Sequence, residues 1–406
     1  MRSGINVSST VDSGAEGVDL KGKNIICFAN DWESDPTSKH QVMKLLSRNN
    51  RIIWINSIGM RNPKLSGADL KRITRKIKLW RKGLVRINNN LHHFTPIVIP
   101  LPSSPVARAI NKYILKAFIN HYRKKLGMQS IQIWTFLPNV VEILDQISAD
   151  HIVYYCVDEW SQFSFMNGPA MRKMESDLLK KVDIVFTSSE KLFQDKIRYN
   201  PRTHLITHGV DYEYFAKTLS SDVQVADELS KYRKPIIGFV GLIHEWLDYE
   251  LIEKVSKLRP EWSFVFIGKV CINIEHIKKC PNVHFLGQKP YEKLLPFLKG
   301  FDISIIPFVI NELTLNVNPI KLREYLAAGI PVVSTPLPEV KKYSDLVRIA
   351  KTPDEMINAI ERELQRDDKN VRHERSMRMK MESWDHKLSQ ISSLIENKPE
   401  NDCHSF

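Results

Sequence analysis

From Asn24 onward, short apolar runs rich in Ile, Val and Phe alternate with stretches of helical periodicity, and this alternation stops and then begins again halfway along the chain. Runs of four to six apolar residues without an in/out pattern are strands buried on both faces, and strands that alternate with helices build parallel sheets. The pattern predicts strands at 25–29, 52–56, 93–98, 131–135, 151–156, 183–187 and 204–207, with helices over 39–48, 106–126, 140–148 and 171–181. A polar stretch follows, and a second series then predicts strands at 235–240, 262–267, 283–286, 302–306, 332–335 and 346–349. Its helices fall at 247–258, 291–298, 319–328 and 354–366. The fold class expected is therefore α/β, two doubly wound Rossmann-like domains facing each other across a cleft, where open parallel sheets bind ligands. The boundaries expected are a disordered tail over 1–20, a first domain over 21–214, a linker over 215–235, a second domain over 236–382 and a C-terminal helix and tail over 383–406.

Composition removes whole classes. With 43% hydrophobic and 26% charged residues in 406, the chain can bury large cores and is neither disordered nor fibrous. No apolar run approaches the roughly 18–20 residues that span a bilayer. Five scattered cysteines without a Cys-x-x-Cys pair fit a reduced cytoplasmic protein better than a zinc or disulfide framework. The net charge of +13 sits wholly in residues 1–200, which hold 30 Lys and Arg against 17 Asp and Glu. Residues 51–100 alone carry 11 basic side chains and one acid, Asp69. Such clustering points to an anionic partner.

Local signals for a phosphate ligand lie in the second half. In Asn318-Pro319-Ile320-Lys321-Leu322-Arg323-Glu324, Asn318 reads as an N-cap and Pro319 as the first helical residue, and Gly329-Ile330-Pro331 ends the helix before a buried strand. A diphosphate would meet backbone N–H groups, the helix dipole and the Lys321 ammonium, while Glu324 would accept from a ribose diol. A well-capped helix with a solvated Lys–Glu pair would read the same way. Gly238-Phe239-Val240-Gly241 supplies a glycine turn where backbone can approach phosphate, and His244 follows as a possible donor, although a lone His is more often structural.

Taken in order, Gly238–Gly241, Trp262–Gly268, Asn282–Gly287, Asp302–Phe308 and Lys321–Val333 resemble the donor domain of the GT-B nucleotide-sugar glycosyltransferases. The resemblance implies a nucleotide-diphosphate sugar held against Gly241, Ile320, Lys321 and Glu324. Many members carry a second Glu eight residues before the one matching Glu324; here that position is Asn316, and Asn316 or Asn318 would substitute by hydrogen bonding to the donor sugar.

In the first half, Tyr154-Tyr155-Cys156-Val157-Asp158-Glu159-Trp160 places two carboxylates past the end of a buried strand, facing the cleft. Sugar transfer to a hydroxyl needs a base there, and a carboxylate among aromatic rings is pushed toward basicity by desolvation. Acids capping the next helix would look alike. This region resembles the bacterial xanthan and teichuronic acid glycosyltransferases, in which an aspartate after the matching strand is the base; the match implies that role for Asp158, with Glu159 as fallback. The loop from Ala29 to His40 occupies the acceptor-facing position of that family, which implies acceptor contacts by Asp31, Trp32 and His40.

Finally, residues 71–82 set Ile73, Ile77 and Trp80 at helical spacing among seven basic residues. That is a basic amphipathic helix suited to an anionic headgroup layer, through Lys71, Arg72, Arg75, Lys78 and Trp80. Packing the same stripe on the domain is the alternative. No recognisable nucleic-acid-reading motif accompanies the charge, so nucleic acid is not the expected partner. No Asp-x-Asp occurs, which fits the metal-independent chemistry of the resembled family; no cofactor or metal is expected. The activity expected is metal-independent sugar transfer from a nucleotide-diphosphate sugar to a glycan or lipid-linked acceptor in polysaccharide assembly, at the cytoplasmic face of a membrane. A nucleotide-sugar epimerase on the same fold, or a non-catalytic membrane- or nucleic-acid-binding scaffold, are the rival readings.

Overall fold

The computed structural model describes residues 20–34, 36–58, 67–99, 101, 104–164 and 166–396, with the side chains of 67–72 outside that set. Of the expected N-terminal tail only Leu20 falls among the described residues, and it is buried.

Two separate sheets form. The first contains β1 (Asn24–Phe28), β2 (Arg51–Ile55), β3 (Val85–Arg86), β4 (Leu91–Phe94), β5 (Gln132–Thr135), β6 (His151–Cys156), β7 (Ile184–Thr187) and β8 (Thr203–Leu205). Their order is β3-β4-β2-β1-β5-β6-β7-β8, parallel except for the β3/β4 pair. The second contains β9 (Ile236–Val240), β10 (Ser263–Ile267), β11 (Val283–Phe285), β12 (Ile303–Ile306), β13 (Val332–Ser334) and β14 (Val347–Ile349), all parallel, in the order β11-β10-β9-β12-β13-β14.

The continuous apolar runs have their expected cause. In β1, Ile25 and Cys27 join one core layer with helix α1 (Ser38–Leu46), while Ile26 and Phe28 join another with Leu115 and Ile119 of the long third helix. Strand β4 begins two residues before the expected 93–98 run, because Asn88 accepts the Asn90 and Leu91 N–H groups and folds the short β3 back against it.

One boundary differs from the sequence reading, and the C-terminal helix gains a domain the sequence did not assign it. Residues 215–235 are no free linker: Phe215 and Leu229 are buried in the second domain's core. The C-terminal helix, Trp384–Glu396, returns to the first domain, where Trp384, Leu388, Ile391 and Ile395 pack against Val42 and Leu46. The chain thus crosses between domains twice, and the crossings touch: Val210 donates to the Glu382 carbonyl at 2.9 Å and accepts from Trp384 at 3.1 Å. Gly209 is required there, since a Cβ would stand 2.7 Å from the Trp384 ring.

Each sheet reverses strand order once, at β1/β5 and at β9/β12. Ligands bind outside the strand ends at such switch points. The loops after β1, β6 and β9 all open on the space between the domains.

Candidate active site

That space is a cavity of about 540 Å³ walled by both domains. On the second-domain side, the Ile320–Ala327 helix starts at the wall, so that Pro319, Ile320 and Lys321 line it. Its far end closes as expected: Gly329 is left-handed (φ 77°), and the Gly329 and Ile330 N–H groups bond the Leu326 and Tyr325 carbonyls. Its near end corrects the reading of Asn318. The capping position belongs to Pro319, and no side chain caps the helix. Asn318 is buried between the domains, donating to the Ser188 carbonyl at 2.7 Å and to Glu339 at 3.3 Å and accepting from Arg323 at 2.6 Å. With its amide so engaged it cannot fold back over the first turn, and the helix begins at the cavity wall without a side-chain cap.

Lys321 pairs with Glu324 at 2.6 Å; Lys321 borders the cavity, and Glu324 is buried behind it. Asn316 does not reach the cavity wall. Its side-chain amide donates to the Glu312 carbonyl at 2.6 Å and its backbone carbonyl accepts from Ser189 across the domain boundary at 2.7 Å. The glycine turn divides in two: Gly241 lines the cavity, whereas Gly238 has the Phe301 ring where a side chain would stand. His244 is set back and stacks on Trp246 at 4.2 Å, and it is Trp246 that forms the wall. Burial lowers the His244 pKa.

On the first-domain side Asp158 lines the cavity just past β6, and among the described residues it has no salt-bridge partner. Burial pushes its carboxyl above the ordinary range, and the charge of Lys39 pulls the other way. Glu159 is not an equivalent fallback. It is buried 2.7 Å from Lys196, which also meets Glu175 at 2.8 Å, and it accepts from Ser161 at 2.7 Å. Burial works against its charge, but Lys196 and Ser161 outweigh burial and hold it below the ordinary carboxylate range. A carboxylate so satisfied braces the loop and is not poised to take a proton.

The loop after β1 also departs from expectation. Asp31 bonds Lys76 at 2.8 Å and both the N–H and hydroxyl of Ser57. Trp32 packs edge-on against Trp54, with ring centroids 5.0 Å apart. His40 accepts the Thr37 N–H at Nδ1 and meets the Trp32 carbonyl through Nε2 at 3.2 Å, so both ring nitrogens are used. Burial lowers its pKa to about 4. None of the three lines the cavity; Pro36, Thr37, Ser38 and Lys39 do. The sequence contains the loop but not the helix phase. With α1 starting at Ser38, Lys39 turns to the cleft, and His40, about 100° further round, turns inward.

Helix α2 (Gly67–Arg81) forms over the expected amphipathic segment. Lys71 and Arg72 lie outside the residues whose side chains are described. Lys76 faces inward to Asp31, while Arg75 and Lys78 are exposed and Ile73 and Trp80 remain 39% and 37% accessible. Helix α3 (Pro105–Lys125) carries six basic residues and no acid, and it exposes Val106, Ile110 and Tyr113 at i, i+4, i+7 spacing, at 69%, 42% and 72%. This second stripe is legible in the sequence at the same spacing. Among the described residues no helix is long and apolar enough to cross a membrane, and no group of three His, Cys, Asp or Glu could hold a metal ion.

Two doubly wound domains, a cleft between their switch points and an open helix end beside a Lys–Glu pair define the GT-B architecture. Residues 234–366 match the family of glycosyl transferases group 1. The fold is shared with sucrose-phosphate synthase of Thermosynechococcus elongatus (TM-score 0.67, 14% identity, 92% of this chain and 98% of that one). It is shared also with HepE of Anabaena in complex with UDP and glucose (TM-score 0.64, 11% identity, 92% and 99%). An E. coli trehalose-6-phosphate protein bound with UDP-2-fluoro glucose superposes likewise (TM-score 0.64, 12% identity, 93% and 100%). TuaH of Bacillus subtilis (strain 168), named for glycosyl transfer in teichuronic acid biosynthesis, is 26% identical over 228 residues, 52% of this chain and 56% of that protein. Residues 234–366 thus carry a glycosyl transferases group 1 match, and the whole chain shares the fold of these solved structures.

Proposed function

We propose that this protein transfers a sugar from a nucleoside-diphosphate sugar to an acceptor hydroxyl in the assembly of a cell-surface polysaccharide. The observation that carries the reading is one cavity with, on one domain, a desolvated carboxylate, Asp158, that has no salt bridge among the described residues, and, on the other, an uncapped helix end with Lys321. The acceptor O–H gives its proton to Asp158 as its oxygen bonds the anomeric carbon, and the bond from that carbon to the diphosphate oxygen breaks. The charge left on the diphosphate falls toward Lys321 and the helix N-terminus. As Lys321 turns to phosphate it releases Glu324 to accept from the ribose hydroxyls. Solved structures of the same fold hold UDP and UDP-sugars, which supports a nucleotide-sugar donor.

This chemistry asks no metal of the protein, so EDTA should leave turnover intact. The exposed apolar stripes of α2 and α3, set among basic side chains, support attachment to an anionic leaflet on the side where a lipid-linked acceptor would be met. The test of the donor site is thermal unfolding with UDP, GDP, dTDP, ADP and CMP. One nucleoside diphosphate at about a hundred times its Kd adds roughly 2.7 kcal/mol of stability. That gain should vanish in Lys321→Ala and shrink in Glu324→Ala. A protein that no nucleotide stabilises refutes the reading.

A further inference from the structure

Three lysines border the cavity, and two of them are neutralised: Lys321 by Glu324 at 2.6 Å and Lys289 by Glu228 at 2.8 Å. Lys39 differs. It is 3% exposed and, among the described residues, has no salt-bridge partner. Among the described residues its Nζ has one long contact, to the Asn30 side chain at 3.5 Å, and sits 4.7 Å from the centre of the Trp160 ring. An ammonium has three donors, and a buried one needs them paired. One contact at the limit of hydrogen bonding and one ring face leave Lys39 under-compensated.

A second residue of the same wall has the same character. His208 lines the cavity, is 6% exposed, and its Nδ1 is buried without a hydrogen-bond partner. Burial holds its imidazole neutral, with Arg323 and Lys39 adding to the effect. Asp158, the acid of this wall, forms no salt bridge with Lys39 among the described residues, and its charge offsets only part of the burial that lowers the Lys39 pKa.

We propose that Lys39 is an anion-binding residue of the cleft, receiving a phosphate or carboxylate oxygen on the first-domain wall beside Asp158. The inference rests on the cleft being the nucleotide-sugar site, and it adds a second anion position to the one at Lys321. The oxygen comes either from the donor's diphosphate or from an acidic group on the acceptor next to its reacting hydroxyl. In the second case the protein would select anionic acceptors.

The experiment is calorimetric titration of the full chain with UDP, inorganic pyrophosphate and methyl glucuronide, beside uridine and methyl glucoside as uncharged controls. The variants are Lys39→Met, which keeps the volume and removes the charge, and Lys39→Arg, which keeps the charge. Lys39→Met should weaken at least one anion tenfold or more, leave the uncharged controls within twofold, and melt no lower than the natural protein, because an under-paired buried charge has been removed. Lys39→Arg should bind that anion within about threefold of the natural protein. Loss confined to UDP and pyrophosphate assigns the donor diphosphate; loss confined to methyl glucuronide assigns the acceptor. Unchanged affinity for all three anions in Lys39→Met, or a lower melting temperature with charged and uncharged ligands lost alike, overturns the proposal. If the natural protein binds pyrophosphate or methyl glucuronide but not UDP, the nucleotide-sugar reading fails while Lys39 is still judged on the remaining anions.

Discussion

Asp158 and Glu159 are neighbours in sequence and opposites in environment. One faces the cavity without a salt-bridge partner among the described residues, and the other is locked to Lys196 and Ser161. The base proposed here, Asp158, must be ionised to work, and burial moves its pKa above the ordinary value of 3.8 against the pull of Lys39. The acid limb of kcat/KM should therefore lie at higher pH than an exposed aspartate would give, and Asp158→Asn should lower kcat by about 10²–10⁴-fold. An Asn variant with near-natural turnover would remove Asp158 from the mechanism. Glu159→Gln should instead act on stability, lowering it by about 3–5 kcal/mol in a denaturant titration, since it strips a partner from a buried ammonium. The histidines predict a different pH dependence. Buried His40 and His208 have folded pKa values lowered to about 4 and about 3 from 6.5. Between pH 6.5 and 4 the unfolded chain binds the extra protons, so stability is complete above 6.5 and falls with pH, by about 1.4 kcal/mol per pH unit per histidine. Melting temperatures across that range check this: His208→Asn should remove about one proton's worth of the slope, and an unchanged slope would contradict it.

At the scale of elements, the same basic amphipathic pattern serves two ends. Lys76 turns inward and anchors α2 through Asp31 and Ser57, while Arg75, Lys78 and Trp80 face outward. Periodicity locates such a helix but does not say which face the domain covers, because an apolar stripe suits a core and a bilayer equally. If α2 and α3 meet a membrane, Arg75→Glu with Lys78→Glu should abolish co-sedimentation with phosphatidylglycerol vesicles. Ile110→Ser with Tyr113→Ser should weaken it, and thermal stability and nucleotide binding should stay natural in both. Equal sedimentation of all three proteins would return these helices to the role of solvated surface. The eight-residue helix at Ile320 teaches the converse lesson. Its C-terminal stop was legible because Gly329 alone tolerates φ 77° there, whereas its N-terminus was misread because the partners of Asn318 come from Ser188, 130 residues away, and from Glu339.

For the whole molecule, the two domains are joined by more than their crossing strands. The Ser189 hydroxyl donates to the Asn316 backbone carbonyl and the Asn318 amide to the Ser188 carbonyl across the boundary, the Glu190 N–H meets Glu339 at 2.8 Å, and Ser164 reaches Glu245 at 2.9 Å. The C-terminal helix belongs to the first domain's core, although the second domain precedes it in sequence. Ile391 is fully buried there, so Ile391→Ala should cost about 2–5 kcal/mol, read as a lower melting temperature of the first domain. A variant that melts like the natural protein would mean that this helix merely rests on the surface. On the function proposed above, closure of the cleft would expel water from around Asp158 and limit hydrolysis of the donor.

What depends on neighbours along the chain could be read from the residues: two α/β series, most of the buried strands, the Gly329 stop, the basic first half, the carboxylate just past β6 and the lysine in the first turn of the Ile320 helix. Hydrophobic period and turn chemistry are local, so they can be read locally. The tertiary structure alone decided which of two adjacent residues reaches the cavity, Asp158 over Glu159, Lys39 over His40, Trp246 over His244. A shift of one residue turns a helical side chain by about 100°, and a hydrogen-bond partner a hundred residues away leaves no mark beside the residue it engages.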